Sequence, residues 1–159
     1  MRKEMFDVMM LQSSAFEDAQ TIPPKYAKKG GNVSPPLSWE NAPPGTKSFA
    51  LSIMDNLSVA RIYVHWLVSD MSADVTSLEE GASGNARMPA GSRELKAYVG
   101  PFPPSGTHTY EFTLYALKME KLDLLEKVSL EMFTQAVEQS SLATAKLVGK
   151  FARNRDVCI

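Results

Sequence analysis

Alternation of apolar and polar side chains predicts β-strands as the main regular structure. Residues 48–55 carry an apolar side chain at every second position, which is the pattern of a strand with one buried face. Residues 107–115 repeat the pattern, and residues 5–11 form a shorter apolar run of strand length. We expect the first of these strands to end at Asp55, which would place a carboxylate at its C-terminal end.

Residues 62–71 are almost all apolar and predict a further strand. Strict alternation divides its side chains between two faces, one with Ile62, Val64, Trp66 and Val68 and the other with Tyr63, His65 and Leu67. A histidine within so apolar a strand requires a polar partner inside the fold. Such a residue is most often a core histidine that is satisfied by a nearby polar group.

Helix signals are confined to the last third of the chain. Ser129 is a suitable N-cap for residues 130–140, where apolar side chains recur at helical spacing. Residues 141–146 continue with helix formers, and residues 147–151 are typical of a closing strand. The polar residues 72–96 are interpreted as a long loop, and residues 94–99 are a candidate for the strand that leads into the next segment. The whole pattern predicts a β-rich domain with one or two peripheral helices.

Composition and charge exclude several classes of function. The chain of 159 residues is 44% hydrophobic and 22% charged, which suits a single domain, residues 1–159, with a proper core. A net charge of −1 gives no general attraction for nucleic acid, and no apolar run is long enough to span a membrane. Glu4 and Asp7 interrupt the apolar N-terminal segment, which argues against a signal peptide and favours a cytoplasmic protein. Cys158 is the only cysteine, which excludes an intrachain disulfide and a cysteine-cluster metal site.

The segment 98–115, YVGPFPPSGTHTYEFTLY, concentrates the unusual residues of the chain. Three prolines within residues 100–104 prevent regular structure. The strand that follows brings His108 and Tyr110 to its beginning and to one face. A rigid proline loop beside these two side chains could form a small binding pocket. A proline-stiffened hairpin, with His108 bonded to a backbone carbonyl, is the preferred interpretation of this segment alone.

Four side chains on strands or strand ends are candidates for chemistry: Asp55, His65, His108 and Tyr110. The chain has no nucleophile elbow and no phosphate-binding glycine motif, so nucleophilic hydrolysis has no support. An aspartate and two histidines could ligate iron or zinc, although their spacing matches no short metal motif. An anion site fits better, because imidazoles and a phenol donate hydrogen bonds and Asp55 can orient one imidazole through its second nitrogen.

Four segments occur in a recognisable order along the chain. They are NVSPPLSWENAPPGTKSFAL from residue 32, the aspartate at 55, VHWLV around His65, and GPFPPSGTHTYEFTLYAL from residue 100. Together they resemble the phosphatidylethanolamine-binding protein family, in particular its bacterial and archaeal Raf-kinase-inhibitor-like branch. The first and last segments are specific motifs, and the similarity extends from about residue 13 to residue 149.

The resemblance implies a mostly β fold, an antiparallel β-sandwich of two sheets with small peripheral helices near the C-terminus. It also implies a pocket for phosphate-like anions or the phosphoryl head group of phosphatidylethanolamine. The family's ligand-binding positions fall on Asp55, His65, Gly100, Pro101, Pro103, Pro104, His108 and Tyr110. The family usually follows its aspartate with proline, a second aspartate, a small residue and proline. This chain has NLSVA at residues 56–60 instead, so the second carboxylate is missing.

Three functions remain open, in decreasing order of preference. The first is a soluble binding protein with a small anion pocket, which could modulate a protein partner such as a kinase. The second is a metal-dependent or acid–base enzyme acting on a small phosphorylated compound through Asp55, His65 and His108. The third is a scaffold with a vestigial pocket, for which the altered residues 56–60 are the argument. No cofactor, resident metal, nucleic-acid partner or membrane span is expected, and a homodimer is left open.

Overall fold

The computed structural model describes residues 8–58, 61–84, 87–103, 106–124 and 128–152. Pro104, Cys158 and residues 59–60 lie outside the described residues. Within them, the strands are β1 (Met10–Gln12), β2 (Gln20–Thr21), β3 (Leu37–Glu40), β4 (Ser48–Ser58), β5 (Arg61–Ser72), β6 (Ser77–Leu78), β7 (Arg93–Lys96), β8 (Thr107–Leu117) and β9 (Ser141–Ala152). A 3-10 turn at Pro24–Tyr26 and the helix α1 (Leu130–Ser140) complete the elements.

These strands form two sheets. The smaller sheet has the order β1-β3-β6, and the larger one has the order β2-β9-β8-β4-β5-β7. Every pairing is antiparallel except that of the two-residue β2 with β9. The main core joins apolar side chains of both sheets, such as Leu11 and Trp39 of the small sheet and Leu51 and Phe112 of the large one. The predicted sandwich of two sheets with a helix near the C-terminus is confirmed.

The second face of the large sheet is covered by α1. Phe133 and Val137 of the helix pack with Leu67 and Tyr115 in a separate buried cluster. The helix begins as predicted, because the Ser129 hydroxyl accepts the Met132 N–H at 3.1 Å and satisfies one of the free donors of the first turn. Among the described residues, no helix is long and apolar enough to cross a membrane.

The predicted continuation of the helix over residues 141–146 is wrong. The chain turns into β9 at Ser141, directly after α1, and pairs with β8 from Leu117 back to Thr107. β9 gains ladder hydrogen bonds along its length and neighbours on the sheet faces, and these outweigh the local helix propensity. The loop predicted over residues 72–96 contains the short strand β6, and β7 overlaps the strand candidate at residues 94–99.

Two further expectations about the central strands are corrected. Asp55 does not end β4, because the β4–β5 ladder continues to the pair Ser58 and Arg61. The strict alternation predicted for residues 62–71 is also wrong. Ile53 pairs with Trp66 but its neighbour Met54 pairs with Val64, so His65 is an extra residue in β5. This β-bulge reverses the alternation after His65.

Candidate functional site

Strand register brings the predicted chemical residues together at one end of the large sheet. Asp55 of β4 lies directly opposite Tyr110 of β8 on one side and Tyr63 of β5 on the other. Residues opposite each other in a ladder share a face, as do residues two apart along a strand. His108 therefore joins Tyr110, and His65 joins Tyr63, on the face of the sheet that carries Asp55.

Asp55 and His108 form a hydrogen-bonded pair of side chains within the site. The distance between His108 Nδ1 and Asp55 Oδ2 is 2.7 Å, and the aspartate is buried. An ionised carboxylate only accepts hydrogen bonds, so Nδ1 of His108 carries a proton and donates it. The contact holds the ring in one orientation and leaves Nε2 as the nitrogen that can meet a ligand.

His65 is held in the same way by the backbone. Its Nδ1 lies 2.5 Å from the carbonyl oxygen of Val99, which can only accept, so this nitrogen also carries a proton. The Val99 N–H in turn donates to the His65 carbonyl at 2.8 Å. The side chain is almost fully buried. The predicted polar partner of this buried histidine is therefore the segment that leads into the proline loop.

Burial lowers the pKa of His65 below its ordinary value of 6.5. Removal of the ring from water disfavours the imidazolium form, and the nearby Lys96 charge acts in the same direction. The carbonyls of Val99 and Gly100 and the Asp55 carboxylate oppose the shift without cancelling it. At neutral pH His65 is thus the neutral ring with its proton on Nδ1, and Nε2 carries a lone pair.

The lowered pKa of His65 predicts acid sensitivity of the fold. The unfolded state takes up a proton at His65 near pH 6.5, whereas the folded state resists protonation. The contribution of neutral His65 to the free energy of unfolding is therefore fully present above about pH 6.5. It is lost as the pH falls below that value toward the lowered pKa. Urea unfolding at pH 7.5 and 5.5 measures the loss. His65→Asn, which cannot titrate, is expected to show a smaller loss between the two pH values, and equal losses would contradict the prediction.

Aromatic rings form the walls around the two histidines. The His65 ring centroid lies 5.1 Å from Tyr110, 4.7 Å from Tyr63 and 5.8 Å from Phe102. The Tyr110 hydroxyl is buried and has no hydrogen-bond partner among the described residues. Burial, and after it the charge of Asp55, raises the pKa of the Tyr110 hydroxyl, whereas the Phe102 backbone N–H acts to lower that pKa. Tyr110 therefore stays protonated at neutral pH, with a buried hydroxyl available to a ligand.

The proline loop is fastened to the segment around residue 28. A side chain at Gly100 would place its Cβ 2.0 Å from the Tyr26 carbonyl oxygen, so only glycine fits this approach. The Lys28 N–H donates to the Pro101 carbonyl, and the Gly100 N–H donates to the Asn32 side chain at 2.7 Å. Pro101 and Pro103 are buried beside it. Of the predicted site residues, Pro104 alone lies outside the described residues.

Two lysines at the rim were missed by the sequence analysis. Lys28 Nζ lies 4.6 Å from the centre of the Phe102 ring, and Lys96 Nζ lies 5.6 Å from that of Tyr63. Cations over aromatic faces are held there by attraction to the ring. Lys28 stands in a lysine–glycine segment, residues 28–31, of the kind that most often forms a solvated turn, and Lys96 follows no motif. Their positions depend on contacts between distant segments, which local patterns do not record.

A metal centre is not supported by the arrangement of ligands. The described residues contain no group of three or more histidine, cysteine, aspartate or glutamate side chains that could hold an ion. Asp55 binds the Nδ1 proton of His108, and the Nδ1 proton of His65 is bound by a backbone carbonyl. The site is therefore a set of hydrogen-bonding groups with aromatic walls and a cationic rim.

Comparison with known proteins identifies the family. The sequence profile described as phosphatidylethanolamine-binding protein matches residues 12–152. The chain belongs to the phosphatidylethanolamine-binding protein family, which confirms the resemblance carried by its four motif segments. A crystal structure of Escherichia coli YbcL, described as a member of the mammalian family, matches with a TM-score of 0.85 and 26% identity, over 92% of this chain and 99% of that one.

Relatives occur in archaea and bacteria. A UPF0098 protein of Methanothermobacter thermautotrophicus is 40% identical over 151 residues, which cover 91% of this chain and 99% of the relative. A Mycobacterium tuberculosis protein named as a lipoprotein, LppC, is 36% identical over 90% of this chain and 72% of its own length. The structure of the homologue CT736 from Chlamydia trachomatis matches with a TM-score of 0.81 and 31% identity, over 93% of this chain and 99% of that one.

Proposed function

We propose that this protein binds small phosphate-like anions, free or as a phosphoryl head group, in the pocket formed by Asp55, His65, His108 and Tyr110. The observation that carries the proposal is that both imidazoles are held through Nδ1. Each ring is fixed through Nδ1, by a carboxylate in one case and a carbonyl in the other. Fixed rings lose little entropy when a ligand binds to Nε2, which is the advantage of a preorganised site.

The protonation states favour an anion that still carries a proton. Neutral His65 offers a lone pair at Nε2, which can accept a hydrogen bond but cannot donate one. Inorganic phosphate carries an O–H near neutral pH and can donate to this nitrogen, while its other oxygens accept from Tyr110. A phosphate monoester keeps an O–H only as the monoanion, whose pKa is about 6, and a phosphodiester head group has none. The rim lysines Lys28 and Lys96 add positive charge at the entrance. An anion without a proton requires His65 to become protonated first.

Sulfate and phosphate titrations at pH 8 and pH 6 test this function. Sulfate only accepts hydrogen bonds, so its binding is coupled to proton uptake by His65 and its affinity should rise as the pH falls, by at most about tenfold per pH unit for one proton. Phosphate should depend on pH less steeply. Calorimetry with a chelator present measures both, and chemical shifts of the two histidine rings report where the anion lies.

A flat or falling sulfate affinity toward pH 6 would overturn the proposed pocket. A metal-bound anion predicts that falling trend, because protons compete with the metal for imidazole. Chloride at the same ionic strength is the control for screening. Ring shifts that appear with chloride as well as with sulfate would mean that the histidines respond to salt and not to a bound oxyanion.

The Asp55–His108 pair supports a second candidate, acid–base hydrolysis of a small phosphorylated compound. A histidine oriented by a carboxylate is the arrangement of a general base, and its Nε2 could remove a proton from water. Turnover of p-nitrophenyl phosphate that disappears in His108→Gln would favour this candidate. Binding ranks first because none of the four side chains is an activated nucleophile.

Modulation of a protein partner through the same pocket is part of the proposal. A partner that presents a phosphoryl group would be recognised by the chemistry that recognises free phosphate, and a kinase is one such partner.

We also propose a cytoplasmic location, and cell fractionation tests it directly. Recovery with the membrane fraction would instead align this protein with the relative that is named a lipoprotein.

A further inference from the structure

A second cleft lies at the opposite end of the large sheet. It has a volume of about 530 Å³, and Lys47, Asp70, Glu120 and Lys121 contribute its charged lining. Lys47 lies one residue before β4 begins and eight residues before Asp55. At the rise of about 3.4 Å per residue of a strand, the cleft is roughly 27 Å from the anion pocket. Its size is within the ~300–1,000 Å³ typical of small-molecule sites.

Asp70 enters this cleft from a β-bulge. Phe49 pairs with Met71 and Leu51 pairs with Val68, so Ser69 and Asp70 together face a single residue of β4. Asp70 adopts a φ of 61°, a left-handed conformation that non-glycine residues seldom take. Bulges of this kind redirect a side chain and are frequent next to functional sites. The local backbone is shaped so that this carboxylate lines the cleft.

The Asp70 carboxylate is buried with few partners. Its Oδ1 accepts the Leu122 N–H at 2.9 Å, and the residue is 8% exposed. The ion pairs among the described residues do not include it, although two lysines line the same cleft. Its second oxygen has no hydrogen bond among the described residues and keeps some contact with solvent. It can therefore accept a further charged donor from a ligand.

We propose that this cleft binds a small zwitterion of dipeptide size. The ligand's ammonium group would bind Asp70, and its carboxylate would bind Lys47 and Lys121. The hydroxyl of Ser72, two residues from Asp70, supports this polarity, because it already donates to Asp74 and can only accept from the ligand's ammonium group. The lining thus offers charges of both signs, which the two ends of a zwitterion complement. The site is independent of the anion pocket.

The dipeptide L-alanyl-L-alanine is the probe, followed by backbone amide NMR of the full chain. Its binding should shift amides around residues 46–47, 70–73 and 120–122 and not those around Asp55. N-acetyl-alanyl-alanine lacks the ammonium group and alanyl-alanine amide lacks the carboxylate, so each should bind roughly tenfold more weakly. Shifts centred on Asp55, or equal affinity for the three compounds, overturn the proposal.

Variants separate ligand binding from a structural role of Asp70. Asp70→Asn keeps an oxygen for the Leu122 N–H and removes the charge, so the fold should persist while dipeptide affinity falls about tenfold. Glu17→Gln removes the same charge from an exposed residue outside the cleft and should have no effect. Lys121→Met should weaken binding and the exposed control Lys118→Met should not. Undiminished affinity in both Asp70→Asn and Lys121→Met would overturn the proposal.

Discussion

Replacing His108 with alanine is expected to weaken phosphate binding by about 1–3 kcal/mol, the usual range for loss of a hydrogen bond to a charged group. Two effects act together. The ligand loses the Nε2 contact of a fixed ring, and the buried Asp55 loses its hydrogen-bonded partner. An unpaired carboxylate near the pocket also repels the incoming anion. Calorimetric titration of both proteins at pH 7 measures the difference.

Glu111→Gln is the matched control for this variant. Glu111 lies on the same strand three residues away, on the opposite face of the sheet, and its contact with Lys146 is a long one at 3.8 Å. The control should bind phosphate as the unaltered protein does. Equal affinity of His108→Ala and the unaltered protein would exclude His108 from the site, provided that thermal melting shows both to be folded.

Gly100→Ala is expected to lower the free energy of unfolding by about 3 kcal/mol, at the upper end of the cost of overpacking. The added Cβ would lie 2.0 Å from the Tyr26 carbonyl oxygen and 2.8 Å from the Lys28 nitrogen. These are backbone atoms, so a rotamer change cannot relieve the clash. Either the 26–28 segment or the proline loop must move. A movement of the loop displaces the Val99 carbonyl that holds His65. Phosphate affinity should fall together with stability.

Gly91→Ala provides the comparison for Gly100→Ala. Its Cβ would meet nothing within 4 Å, but its φ of +83° strains any residue other than glycine. The expected cost is about 1–2 kcal/mol of backbone strain, without an effect on phosphate binding. Urea unfolding measures both variants. A loss of stability in Gly100→Ala no greater than that in Gly91→Ala would mean that the loop accommodates the methyl group.

The parts of the fold that follow from local patterns were predictable from the sequence. Alternation located β4 and β8, and an N-cap serine with helical spacing located α1. Residues 141–146 were misassigned because alanine, leucine and lysine favour helix locally, whereas the pairing partner β8 is supplied by a distant segment. The faces of β5 were misassigned after His65 because of the β-bulge. A bulge depends on how two strands pair, and it leaves no repeating pattern in the sequence of either strand.

The chemistry of the candidate site was predictable in kind but only partly in position. The residue types of Asp55, His65, His108 and Tyr110 indicated hydrogen bonding to an anion. Which histidine Asp55 contacts could not be read from the spacing, because β8 and β5 both lie beside β4. The partner of His65 is a backbone carbonyl. Because every residue carries a carbonyl, the sequence does not indicate which one is used. The rim lysines were missed because their rings come from other segments of the chain.

The parallel pairing of β2 with β9 constrains the order in which the protein can fold. Gln20 pairs with Gly149, so this contact closes a loop of roughly 130 residues and has a high entropic cost. Residues 24–32, which support the proline loop, follow directly from β2. During synthesis, a nascent chain must therefore wait for β9 to emerge before β2 can dock. The wall of the anion pocket is accordingly expected to acquire protection from hydrogen exchange late in refolding, after the β4–β5 hairpin.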